Sequence, residues 1–199
     1  AEQSANGEAM AKYFVKALTL QSSGKPQLGK EVNIPGELKV VQGDQLFTID
    51  YNWKAKVQVP SLHMLILSND LAYLQASLNL AGQSPTKLLV DGANVYLNAY
   101  DNASYQYQVS LLQLSGNNFV SKSRLNMGDY VELNLVQQSK LLLQNGYGLF
   151  VYDISKLDQP VPQAYFAANA WNGKLSVTGE QIFMAAGSYG IYQFNFATV

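Results

Sequence analysis

The sequence predicts an all-β chain on three observations. One motif recurs through it, short apolar runs bounded by turn-forming residues fill the intervals, and no segment sustains the i, i+3, i+4, i+7 apolar spacing of a helix. The motif is a turn followed by a strand that opens with two large apolar residues. Its copies are Gly43-Asp44-Gln45-Leu46-Phe47, Gly92-Ala93-Asn94-Val95-Tyr96, Gln138-Ser139-Lys140-Leu141-Leu142 and Gly179-Glu180-Gln181-Ile182-Phe183, separated by 49, 46 and 41 residues. A second series, Tyr147-Gly148-Leu149-Phe150-Val151-Tyr152, returns after 42 residues as Tyr189-Gly190-Ile191-Tyr192-Gln193-Phe194. A third sets Pro26-Gln27-Leu28-Gly29 against Pro162-Gln163-Ala164-Tyr165.

Taken in order, Glu8 to Leu20 comes nearest to a helix, but Tyr13 to Leu20 is rich enough in β-branched and aromatic residues to read as a strand. Glu37 to Val41, Lys87 to Val90, Val131 to Val136 and Lys174 to Val177 are alternating or wholly apolar runs between Gly, Pro, Asn, Asp and Ser, and read as strands too. Pro26, Pro35, Pro60, Pro85, Pro160 and Pro162 are expected in the gaps, where a missing N–H costs no ladder bond.

Four strands in each such interval is the unit of a β-propeller, whose blades of four antiparallel strands repeat around a channel. An irregular sandwich is the alternative, although sandwiches do not usually repeat internally at one period. With the strands of a blade lettered A to D outward from the channel, residues 1–199 read as a single propeller segment. Strands C and D fall in 12–34, A to D in 37–80, in 86–126 and in 131–169, and A to C in 173–199. Leu46, Val95, Leu141 and Ile182 are then equivalent core positions of successive blades. A chain that starts and stops at a C strand is expected not to close a ring alone. On that reading it is the C-terminal part of a larger ring, completed by a missing N-terminal portion or by another subunit. The other reading is a whole small propeller with its first blade misjudged.

Residues 147 to 187 carry a family resemblance. Gly148-Leu149-Phe150-Val151-Tyr152-Asp153-Ile154-Ser155, then Asp158-Gln159-Pro160-Val161-Pro162, then Leu175-Ser176-Val177-Thr178-Gly179 and Ile182-Phe183-Met184-Ala185 resemble the LVIVD-type repeat of bacterial secreted and surface β-propellers. Residues 18 to 51 are similar more loosely. The blades at 62 to 101 and 107 to 145 keep the spacing without the Asp-Ile-Ser signature. The resemblance implies an exported protein with an interaction role, and the repeat itself brings no catalytic residue.

Composition narrows the function. Of 199 residues, 48% are hydrophobic and 14% charged, which excludes a disordered chain. The longest apolar run, Leu62 to Leu67, is far short of a membrane helix. Net charge is −1 and Arg124 is the lone arginine, so the forked guanidinium groups that read phosphates and bases are missing and nucleic acid is not an expected partner. With no cysteine and one histidine, disulfides, thiolate chemistry and Cys/His metal sites are excluded, and no metal or cofactor is expected.

The B–C loops (50–61, 101–106, 145–148, 187–190) and D–A loops (34–37, 80–86, 126–130, 169–173) of a propeller gather on one face, and function concentrates on such loops. Tyr51, Trp53, Tyr130, Tyr147, Trp171 and Tyr189 fall in this set, with Asp101 among them. Exposed aromatics anchor protein partners, and flat tryptophan faces suit sugars. The alternative is that they pack between blades. Both tryptophans are expected toward the same face.

Catalytic signals are sparse. A glycosidase needs two facing carboxylates within about 10 Å; Asp50, Asp101 and Asp129 sit in or beside channel-side loops, but turn aspartates commonly bond their own backbone. Asp153 and Asp158 lack the dense oxygen ligands of a calcium loop. His63 has no Gly-x-Ser-x-Gly elbow to serve and reads as a strand histidine. Asn102-Ala103-Ser104 is a glycosylation sequon on a loop. The chain therefore reads as a non-catalytic binding or scaffolding module, secreted, periplasmic or at the cell surface, that presents loop aromatics to a protein partner. The alternative is a carbohydrate-active propeller, with Trp53 and Trp171 as sugar platforms and Asp50, Asp101 or Asp129 as acids.

Overall fold

The computed structural model describes residues 2–3, 9–10, 13–51, 59–168 and 173–195. Among these every regular element is a strand, apart from one 3-10 turn at Gly187–Tyr189. β1 (Glu2–Gln3) and β2 (Ala9–Met10) form a small bridge, and β3 (Tyr13–Leu20) and β4 (Pro26–Ile34) a hairpin. The first four-stranded sheet follows, β5 (Glu37–Gln42), β6 (Gln45–Tyr51), β7 (Pro60–Ser68) and β8 (Leu71–Asn79). The second comprises β9 (Gln83–Asp91), β10 (Asn94–Asp101), β11 (Gln106–Ser115) and β12 (Asn118–Gly128). The third is β13 (Glu132–Gln137), β14 (Lys140–Asn145), β15 (Gly148–Asp153) and β16 (Val161–Ala167). β17 (Leu175–Thr178), β18 (Gln181–Ala185) and β19 (Ile191–Asn195) make a three-stranded sheet. Each is an antiparallel meander in chain order, and the sheets stay separate rather than joining into one closed sheet.

The recurring motif occupies one structural position. On the first strand of each sheet Val41, Val90, Val136 and Val177 lie opposite Leu46, Val95, Leu141 and Ile182. On the third strand Leu65, Leu112, Tyr152 and Phe194 face the same four residues from the other side. Side chains alternate along a strand, so the two apolar residues of each motif copy serve different cores. Leu46, Val95, Leu141 and Ile182 enter the core shared with the preceding sheet. Phe47, Tyr96 and Leu142 enter the core shared with the following one. The sheets are thus stacked face to face, with an apolar layer at every junction. First strands lie against first strands, β5 on β9 and β9 on β13; fourth strand lies on fourth strand, β8 on β12, and the second strand of the hairpin, β4, lies on β8.

The prolines depart from expectation. Only Pro35 and Pro160 fall between strands; Pro26 and Pro60 open β4 and β7, while Pro85 and Pro162 lie inside β9 and β16. The physical reason is local. An opening residue needs no ladder N–H, and Pro85 and Pro162 sit at register shifts where Thr86 and Gln163 are bulged out of the pairing. The bulge also lets β9 begin at Gln83, ahead of the expected start of its strand.

Tyr96 shows how tightly the layer between the second and third four-stranded sheets is closed. It is 1% exposed, and its phenol is pushed up to about 12 by burial first and by the Asp91 charge second, against a hydrogen bond with Asn94. A raised tyrosine pKa stabilises the fold fully below the unfolded value near 10 and loses that contribution as pH rises through about 12. In an ultraviolet titration one phenol is therefore expected to ionise after the exposed tyrosines, and Tyr96→Phe to remove that late step. An unchanged titration in the variant refutes the assignment.

Candidate functional site

In a meander, the turn from first to second strand and the turn from third to fourth lie at one end of the sheet. The connection from second to third strand, and the one leading to the next sheet, lie at the other. Hydrogen bonds between the latter two kinds of connection confirm the shared end: Asn102 N donates to Gly82 O at 2.8 Å, Ala168 N to Tyr147 O at 2.7 Å and Gly173 N to Ala185 O at 2.8 Å. Two side-chain amides on second strands pin the next sheet there. Asn98 Nδ2 donates to Val131 O and Gln144 Nε2 to Gly173 O, both at 2.6 Å. Sheltered side-chain bonds to a carbonyl that heads the next sheet leave the loop end well held.

On this scaffold the tyrosines are displayed unequally. Tyr147 and Tyr189 stand out at 72% and 61% exposed, and Tyr130 at 53%. Tyr51 ends β6 half-buried against the core between the first two four-stranded sheets. Trp53 and Trp171 lie outside the described residues. The most exposed tyrosine, Tyr105 at 76%, was not singled out by the sequence reading. It sits in the connection between β10 and β11 with a left-handed backbone, φ 59°. Tyr105, Tyr147 and Tyr189 follow one another at 42-residue intervals, each just before the third strand of its own sheet. The Tyr147/Tyr189 series, continued one period back, was the signal that finds Tyr105.

Each loop is shaped by its own turn chemistry. The Asp101 carboxylate accepts from Ala103 N at 3.1 Å and Ser104 Oγ at 2.8 Å, and these bonds favour the ionised form and hold its pKa below the usual carboxylate range. Asn145 plays the same part in the next sheet, its Oδ1 accepting from Tyr147 N at 2.9 Å and Gly148 N at 3.0 Å. Both are side-chain-capped turns that aim the following tyrosine outward. Asp101 thus has a structural partner set of its own. Asp50 lies in β6 and Asp129 after β12, each on a different sheet from Asp101 or a different connection.

Tyr130 anchors a small aromatic cluster. Its ring meets Tyr107 edge-on at 5.1 Å and 88°, and Tyr107 meets Tyr100 at 5.1 Å and 62°. Burial, then the Glu132 charge, then Tyr107 raise the Tyr130 phenol. Beside it lies a cavity of about 260 Å³ that includes Glu132, Asn145 and Lys174 in its wall. Glu132 is held by Lys87 Nζ at 3.1 Å. His63 is on β7 with Nδ1 2.8 Å from Ser77 Oγ, and burial lowers its pKa against the pull of Asp50. Among the described residues no three His, Cys, Asp or Glu side chains are grouped to hold a metal ion, and no helix is long and apolar enough to cross a membrane.

Compared with known proteins, the chain matches no family model and no curated protein.

Proposed function

We propose that the chain is an arc of an exported β-propeller and works as a non-catalytic binding or scaffolding module. Its loop end presents Tyr105, Tyr147 and Tyr189 to a protein partner. The observation that carries this reading is the row itself: three successive sheets expose one tyrosine each at the same place, 76%, 72% and 61% accessible. A core-building repeat has no need of exposed aromatics, whereas rigid aromatic side chains bury much area at little entropic cost when a partner arrives.

The propeller reading is supported by meanders stacked face to face, first strand on first strand and fourth on fourth, and by the LVIVD-type resemblance of residues 148 to 185. Phe14, Leu18, Leu20 and Leu28 on the β3–β4 hairpin and Ile191 on β19 are exposed apolar residues of the two outer sheets. Further blades, from the same gene product or another subunit, would cover them. Export accords with a cysteine-free, weakly charged chain.

A photo-crosslinking residue placed in turn at positions 105, 147 and 189, in cells of the source organism, tests the partner. The expected outcome is one common protein adduct from all three sites and none from position 71, an exposed residue at the opposite end of the first sheet. Equal adducts from position 71, or three unrelated sets, overturn the reading. A glycan-array signal lost in Tyr147→Ala would replace the protein partner by a sugar.

A further inference from the structure

One cleft breaks the regularity of the stack. It lies at the end of the short turns, between the second and third four-stranded sheets, with a volume of about 350 Å³. Tyr96 contributes to its floor, and Asp91, Lys122 and Asp158 stand around it. Half-buried Leu157 gives it a small apolar edge, with the core residue Ile154 beneath. Asn94 and Gln113 lie on the wall formed by the second sheet, Gln113 Nε2 donating to Asn94 Oδ1 at 3.5 Å.

Two departures from the repeat build this cleft. The third-to-fourth-strand turns of the first two four-stranded sheets are two residues long, Asn69-Asp70 and Gly116-Asn117, but in the third sheet the connection runs from 154 to 160. That longer loop reaches over the preceding sheet, where Ser123 Oγ of β12 donates to its Leu157 carbonyl. The second departure is a charge. Every fourth strand in the three sheets has a bulged residue at one shared register, Gln75, Lys122 and Gln163, β12 having a second bulge at Met127. A bulge re-aims the side chain that it displaces. Only in the second sheet is that residue a cation, and there it joins the cleft. Asp91, Lys122 and Asp158 form no ion pair among the described residues.

We propose that this cleft binds a zwitterionic α-amino acid or dipeptide, its ammonium held by Asp91 and Asp158, its carboxylate by Lys122, and an aliphatic side chain against Leu157. Two carboxylates and one ammonium around a single cleft complement a ligand that carries both charges. A bare divalent cation is opposed by Lys122 and would find only two carboxylates. A neutral sugar gives the three charges nothing to pair with. The Tyr96 hydroxyl stays protonated throughout the physiological range and remains a donor. The volume is at the lower end of small-ligand pockets, enough for one or two residues.

Calorimetric titration of the intact chain with alanyl-leucine, its N-acetyl derivative, its carboxamide and glucose tests the assignment. Alanyl-leucine is expected to bind saturably, and each singly blocked analogue at least about tenfold more weakly. Lys122→Met is expected to bind the peptide and its amide alike, and Asp158→Asn to lose most of the preference for the free amine. Because these readouts are ratios within one variant, a partial loss of fold does not mimic them. No saturable binding of alanyl-leucine, equal binding of the analogues, tighter binding of glucose, or discrimination unchanged in both variants overturns the proposal.

Discussion

Leu141→Ala is expected to lower the free energy of unfolding by about 2–4 kcal/mol, measured by urea or thermal denaturation. Leu141 is fully buried in the layer between the second and third four-stranded sheets. Its neighbours in that layer come from both sheets, Tyr96 and Leu111 on one side, Leu133 and Ile154 on the other. Val136 and Tyr152 lie opposite it on the adjacent strands. The hole left by truncation is walled by backbone that is already paired on both edges, so collapse into it is limited and the cavity contribution adds to the lost transfer energy. Val41→Ala is the matched control. Val41 faces Leu46 at the same register but is 56% exposed, and its loss is expected within about 0.5 kcal/mol. A Leu141→Ala cost below that of Val41→Ala would show that the repeat register has been misread.

Gly36→Ala is expected to cost about 2–5 kcal/mol, the sum of left-handed backbone strain of about 1–2 kcal/mol and overpacking of about 1–3 kcal/mol. Gly36 turns the chain from β4 into β5 with φ 76°. A methyl group there would meet the backbone of Ile49 and Asp50 in β6, which cannot swing aside as a flexible side chain does. The neighbouring Pro35 carbonyl is also held by the Thr48 hydroxyl, so the turn is fixed from both sides. Gly24→Ala separates the two effects, since Gly24 has the same φ of 76° and open space around its would-be Cβ. Only the strain is expected there. Equal costs at the two glycines would mean that the close approach to β6 contributes nothing.

The parts of this fold legible in the sequence are those that a two-residue alternation writes directly. The pair Leu141-Leu142 after a turn announces a strand with both faces buried, and its recurrence at Val95-Tyr96 and Ile182-Phe183 announces the stack. Pro85 and Pro162 misled because a bulge is not visible one strand at a time; it exists only relative to a partner. Tyr105 escaped because its loop reads Asn102-Ala103-Ser104-Tyr105, without the glycine that marks Tyr147-Gly148 and Tyr189-Gly190. The turn-end cleft was hidden for a related reason. Asp91, Lys122 and Asp158 stand far apart in the chain, and only the packing of one sheet on the next brings them to one opening. Asp101 was legible as a turn residue, because its ligands Ala103 and Ser104 are its own neighbours.

Apolar layers lie between sheets here rather than inside them, and the thermodynamics inherits that arrangement. A sheet removed from the middle takes two layers with it, while one removed from an end takes one. Free energy therefore accumulates with junctions, in the manner of a one-dimensional chain of coupled neighbours, and an isolated sheet has almost none of its own. The unit that the sequence repeats is a single sheet, but the unit that carries stability is the boundary shared by two.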